Sequence, residues 1–169
     1  MSKIKVFVTS VLFLGISQIS LAGQYGMGGS TSYPLHPDPT LTPGALCTSP
    51  TRLRYPEKIK YCDRNVDSST KWEVIQIYVK KFGYKINNGN RGQFKIDHYI
   101  PLCMGGANDI SNLWPQNQNV YQQTDPLEPL LCEKMAMGRL KQTEAVELIK
   151  KGKNDFSQIR PIINYVNSL

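Results

Sequence analysis

Phe94-Lys95-Ile96-Asp97-His98-Tyr99-Ile100-Pro101-Leu102-Cys103-Met104-Gly105-Gly106-Ala107-Asn108-Asp109-Ile110-Ser111-Asn112-Leu113-Trp114-Pro115 is the stretch that decides how this chain folds. Residues 93–102 alternate loosely before an apolar end, as a strand does, and Gly105-Gly106 marks a turn. Residues 110–114 then make a short return segment that Pro115 stops. The run predicts a strand, a turn and a returning segment. It also gathers chemistry, because Asp97 and His98 are adjacent and Asn112 follows the histidine by fourteen residues.

Outward from the hairpin, Trp72, Ile75, Val79 and Phe82 fall at helical spacing over residues 70–82. A Thr70-x-x-Glu73 capping box precedes them and Gly83 follows. The stripe predicts a core-facing helix. Residues 87–92 form a turn cluster. Residues 118–137 are helix-compatible, with Pro126 and Pro129 at a helix start or dividing two pieces. A last helix is expected over 143–151, bounded by Gly152. No repeat is visible, and residues 46–169 suit one small α+β domain, with its core motif at 93–128.

The chain opens with Lys3 and Lys5, an interrupted apolar run to Ile19 and Ser20-Leu21-Ala22. That order predicts a signal peptide over residues 1–22, hence a secreted or periplasmic protein with no stable membrane association after cleavage. No later stretch is long and apolar enough to span a bilayer. Residues 23–45, rich in Gly, Pro and Ser, read as a flexible leader in which His36 is a solvated bystander. Removing residues 1–22 takes two lysines and no acids, so a formal charge of +7 becomes +5. This modest positive balance is compatible with a polyanionic partner without demanding one.

All four cysteines, Cys47, Cys62, Cys103 and Cys132, lie beyond the signal, and an even count in an exported chain predicts disulfides. Of three possible pairings, local closure favours Cys47 with Cys62 and Cys103 with Cys132, each worth on the order of 3 kcal/mol. With no Cys-x-x-Cys pair and only His36 and His98 as histidines, a zinc-finger site is not expected.

Hydrolysing a phosphodiester near neutral pH needs an activated water, charge neutralisation on the phosphoryl oxygens and stabilisation of the leaving oxygen. A neutral histidine can supply the first and one divalent cation the rest. Asp97 offers a hard oxygen ligand, and His98 a base of suitable pKa. Neighbouring side chains on a regular strand point to opposite faces, so the pair is expected to share a site only where the strand bends or bulges. Asn112, brought back by the hairpin, is expected to orient the imidazole.

In these residues the sequence resembles the HNH, or ββα-metal, nucleases. Asp97-His98 matches their Asp-His, Gly105-Gly106 the turn and Asn112-Leu113 their Asn-Leu. The longer string running through Pro101-Leu102 and Asn112-Leu113-Trp114-Pro115-Gln116 is similar to a secreted bacterial branch, and the likeness spans most of residues 42–150. The resemblance implies a metal-dependent endonuclease in which Asp97 holds the ion, His98 is the general base and Asn112 orients it. The implied cofactor is one divalent ion, Mg²⁺ first, with Mn²⁺ or Zn²⁺ as alternatives. DNA is the expected substrate ahead of RNA, steered by Arg91 and Lys95 together with Lys80 and Lys81.

One departure stands out. Many family members carry a further His or Asn ligand about nine residues after the central Asn, where this chain has Tyr121. Asn119 is the first choice for that ligand, with Asn117 and Asp125 as alternatives, while Glu128 is assigned to helix-stabilising ion pairs with Arg64 or Arg91. Because of the missing ligand, a second class stays open: a disulfide-stabilised nucleic-acid-binding or interaction module that kept the scaffold without catalysis.

Overall fold

In a computed structural model, residues 32–169 are described, and the expected signal peptide lies outside them. The described chain is α+β. A short hairpin pairs β1 (Arg52–Arg54) with β2 (Ile59–Tyr61). Helix α1 (Ser68–Phe82) leads to a second antiparallel pair, β3 (Phe94–His98) and β4 (Leu113–Asn117). Then come α2 (Gln118–Thr124), α3 (Leu127–Ala136), α4 (Gln142–Asn154) and α5 (Ile159–Asn167).

The expected helix over 70–82 is present but starts earlier and is capped differently. Asp67 is its N-cap, its side chain accepting from the Thr70 backbone N–H at 2.7 Å, and Gly83 closes it in the left-handed region at φ 71°. Its inward face is Val74, Ile75 and Tyr78, whereas Trp72 and Phe82 are exposed. The apolar stripe is therefore rotated relative to the expectation, because α1 packs on β4 and the N-terminal segment together.

Residues 33–45, expected within a flexible leader, are packed. Thr42 is fully buried and donates to the Leu113 carbonyl at 3.0 Å, so the Tyr78 hydroxyl donates to it at 2.8 Å and accepts from the Asp38 N–H at 3.0 Å. His36, expected to be a solvated bystander, sits with Nδ1 3.1 Å from the Lys153 carbonyl oxygen.

The β3–β4 register is continuous, from Phe94 opposite Asn117 to His98 opposite Leu113. β4 runs through Pro115 rather than stopping there. A proline is tolerated because each of these strands has one free edge, where no N–H is required. Two apolar clusters flank the pair. One joins α1, Phe94, Ile96, Leu113, Trp114 and Val120, and the other joins α3, α4 and α5 to Ile59, Ile100 and Met104. Trp114 is fully buried and packs beneath the hairpin, as expected. Helix α4 passes straight through Gly152, where a Cβ would meet Leu127 Cδ1 at 2.4 Å, so the glycine permits close helix contact rather than ending the helix.

Both favoured disulfides are present, Cys47–Cys62 and Cys103–Cys132. Among the described residues no helix is long and apolar enough to cross a membrane.

The Gly105-Gly106 turn is tight. Gly105 adopts φ 83°, and Gly106 donates to the Pro101 carbonyl at 3.0 Å. A Cβ on Gly106 would stand 1.8 Å from the Ile100 carbonyl oxygen and 2.9 Å from Asn112 Nδ2. Gly106→Ala is expected to cost about 3 kcal/mol or more through forced backbone displacement, read as a lower urea midpoint. An unchanged midpoint would show that the turn relaxes freely.

Candidate active site

β3 presents four consecutive residues, Lys95 to His98, to one cavity of about 260 Å³, whose other ionisable groups are Arg64 and Glu128. Of the expected bend or bulge, the continuous register shows no bulge at Asp97 and His98, and both residues line the cavity. β3 pairs only with β4, so its other edge is free, and a cavity along that edge receives side chains from both faces. A larger cavity, about 490 Å³ between His36, Pro43, Tyr99 and Lys150, has no carboxylate in its wall. His98, the histidine that the sequence singles out, lies in the smaller one together with Asp97 and Glu128.

His98 is buried, 4 % exposed, and its Nε2 lies 3.1 Å from Asn108 Oδ1. The Asn108 amide donates through Nδ2 to the Asp63 carbonyl at 2.7 Å, so its oxygen must face the ring. Nε2 thus carries the proton and Nδ1 is left as the lone-pair nitrogen. Burial holds the imidazole below its ordinary 6.5, with Arg64 nearby adding to the effect against the opposing Asn108 bond. At neutral pH the ring is the neutral form a general base requires.

Burial alone would raise Asp97, but the ammonium groups of Lys153 and Lys95 outweigh it and keep the carboxyl below its usual range. Lys153 Nζ is 2.7 Å from Asp97 Oδ2, and Lys95 Nζ is 3.6 Å from Oδ1. Glu128, on the first turn of α3, is raised by burial, partly offset by Lys153 and reinforced by the Asp97 charge. Two carboxyls in one cavity are thereby pushed in opposite directions.

Several sequence assignments change here. Asn112 is fully buried and does not touch the imidazole. Its Oδ1 accepts from Ile100 N–H at 2.9 Å and its Nδ2 donates to the Ile100 and Ala107 carbonyls, both at 2.9 Å. It pins the loop that follows the histidine, while Asn108 takes the ring. Asn119 is exposed and donates to the Tyr33 hydroxyl at 3.1 Å, while its backbone N–H donates to Asn117 Oδ1 at 3.0 Å. The alternatives Asn117 and Asp125 both have other partners. Asn117 is used as the cap, and Asp125 pairs with Lys95 at 2.6 Å. Tyr121 lies beneath Lys95, 4.8 Å from Nζ to the ring centroid. Arg91 donates to the Phe94 carbonyl at the start of β3, whereas Lys95 does line the cavity. Glu128, expected in a structural ion pair, faces the cavity instead.

The side chains found by the structure alone are Asn108 and Lys153. Asn108 lies two residues after the Gly pair and carries a usable signal, an amide within reach of the turn. Lys153 lies 55 residues from His98 and has no local signal.

A divalent ion at Asp97 is tested by the donor set. One oxygen of Asp97 is already held by a buried ammonium, the expected amide ligand points elsewhere, and the described residues contain no group of three His, Cys, Asp or Glu placed to hold a metal. The residues as arranged do not fit a resident divalent ion.

Fold and site together define a small disulfide-bonded α+β domain with a histidine–carboxylate cavity on a free strand edge. A scan against family models found no match, and searches of the curated proteins and of the solved structures likewise found none.

Proposed function

We propose that this chain is an exported endonuclease that hydrolyses phosphodiester bonds, with DNA ahead of RNA on the strength of the HNH resemblance. The observation that carries the proposal is His98: a neutral imidazole, its tautomer fixed by Asn108, in a cavity that also holds Arg64 and Lys95. In the proposed reaction His98 Nδ1 accepts a proton from water as the water oxygen attacks phosphorus. Arg64 and Lys95 balance charge on the non-bridging oxygens. The bond from phosphorus to the leaving oxygen breaks, and that oxygen takes a proton from Glu128, the carboxyl that burial raises. No step is assigned to a metal ion, since the donor set does not fit one.

Purified, oxidised protein is expected to nick supercoiled plasmid, assayed in parallel with EDTA, Mg²⁺ and Mn²⁺. No nicking under any of these conditions would remove the proposal. A second reading, a nucleic-acid-binding module without catalysis, is favoured by one observation, the neutralisation of Asp97 by Lys153. It predicts a retarded DNA band with no nicks.

The pH dependence follows from the lowered pKa of His98 and the raised pKa of Glu128. The base form of His98 is lost as pH falls through its lowered pKa, and the acid form of Glu128 is lost as pH rises through its raised one, so the nicking rate is expected to fall on both the acid and the alkaline side. A rate that keeps climbing through the alkaline range would assign the base and the acid to other groups.

A further inference from the structure

We propose that Lys153 is the resident cation of this cavity, its ammonium occupying the place at Asp97 that the HNH resemblance gives to a divalent ion. The inference concerns what binds Asp97, and it stands or falls separately from the nuclease proposal.

Lys153 is 2 % exposed, an unusual state for a lysine, and such burial is sustained only where the charge is paired. Its partners are Asp97 Oδ2 at 2.7 Å and the His98 carbonyl at 2.6 Å. One ammonium thus grips the two residues whose side chains define the site. The placement is built into the fold. Lys153 sits in the last turn of α4, where the helix dipole favours a cation, and α4 reaches β3 because Gly152 lets it lie against Leu127 of α3. The carbonyl of the same residue meets His36 Nδ1, so the N-terminal segment packs over this turn.

The charge balance points the same way. The ammonium groups of Lys153 and Lys95 stand beside Asp97, and with His98 neutral and Glu128 pushed toward its protonated form, the Asp97 charge is already countered by side chains. A divalent ion at Asp97 would stand beside the Lys153 ammonium, 2.7 Å from Oδ2, and the Lys95 ammonium, 3.6 Å from Oδ1, and both would repel it. Lys153 therefore also acts as a positioning group, fixing the Asp97 carboxylate and the His98 peptide from behind.

The test measures Mn²⁺ binding by calorimetry, at neutral pH and without nucleic acid, for the oxidised full protein and for Asp97→Asn, Lys153→Met and the double variant. Wild type is expected to show no stoichiometric site. Lys153→Met, which keeps the apolar stem and removes the charge, is expected to gain one site with at least a tenfold rise in affinity, and Asp97→Asn added to it should abolish that gain. Stoichiometric binding by wild type that Asp97→Asn removes overturns the proposal. So does a folded Lys153→Met protein that gains no site. If Lys153→Met does not fold, the wild-type and Asp97→Asn titrations decide alone: Asp97-dependent binding overturns the proposal, and its absence supports it. Nicking is not read in this experiment, so loss of the nuclease proposal shows only in the plasmid assay.

Discussion

His98→Ala is expected to lower the proposed plasmid nicking by about 100-fold to 10 000-fold, the range carried by a positioned general base. The size of the effect follows from the ring's surroundings. The imidazole is buried, so its proton-accepting form dominates at neutral pH. The Asn108 oxygen fixes which nitrogen accepts, and the Asp63 carbonyl fixes Asn108 in turn. Removing the ring leaves Arg64 and Lys95 in the cavity wall, so nucleic-acid affinity is expected to stay within about threefold of wild type while the rate collapses. A gel-shift titration beside the nicking assay separates the two. Equal nicking by wild type and His98→Ala would move the chemistry elsewhere.

Asn112→Ala destabilises the fold by about 3–5 kcal/mol, read from urea unfolding of the oxidised protein. Three backbone groups lose their partner in a fully buried position: the Ile100 N–H, the Ile100 carbonyl and the Ala107 carbonyl. Each orphaned group costs about 1–3 kcal/mol, and some recover water as the loop loosens, so the sum falls short of the upper limit. Asn112→Asp sharpens the test. It retains an acceptor for Ile100 N–H but turns a carboxylate oxygen toward two carbonyls, so it rescues little. A cost below about 1 kcal/mol for Asn112→Ala would show that the loop is held by other means, such as the Tyr99 N–H bond to the Asn112 carbonyl.

These effects mark how far the sequence could be followed. The hairpin, the Gly105-Gly106 turn, the helix ended by Gly83 and the pairing of the four cysteines rest on local constraints, and local constraints are written in adjacent residues. The rotated face of α1 was not legible. Trp72 and Phe82 match the helical period as well as Val74 and Tyr78 do, and only the elements packed around α1 choose between the faces. Pro115 misled because a stop signal in a central strand is tolerable on a free edge. Residues 33–45 look like a leader by composition, yet Thr42 and Asp38 fasten them to Tyr78. The helix α5 was missed altogether. Within the site, Asp97 and His98 were legible as a pair, but Asn112 was given the ring because hairpin spacing fixes proximity without fixing side-chain direction.

The sequence by itself determined a disulfide-stabilised α+β domain, a strand-turn-strand core and the histidine around which the chemistry is proposed. Each depends on spacing, turn preference or loop closure over short stretches of chain. Only the tertiary structure decided which side chains share the cavity, that Asn108 rather than Asn112 holds the imidazole, and that Lys153 faces Asp97. Those contacts join β3 to segments from Asp63 to α4, and their formation depends on how two apolar clusters pack against one strand pair, a balance that no local pattern records.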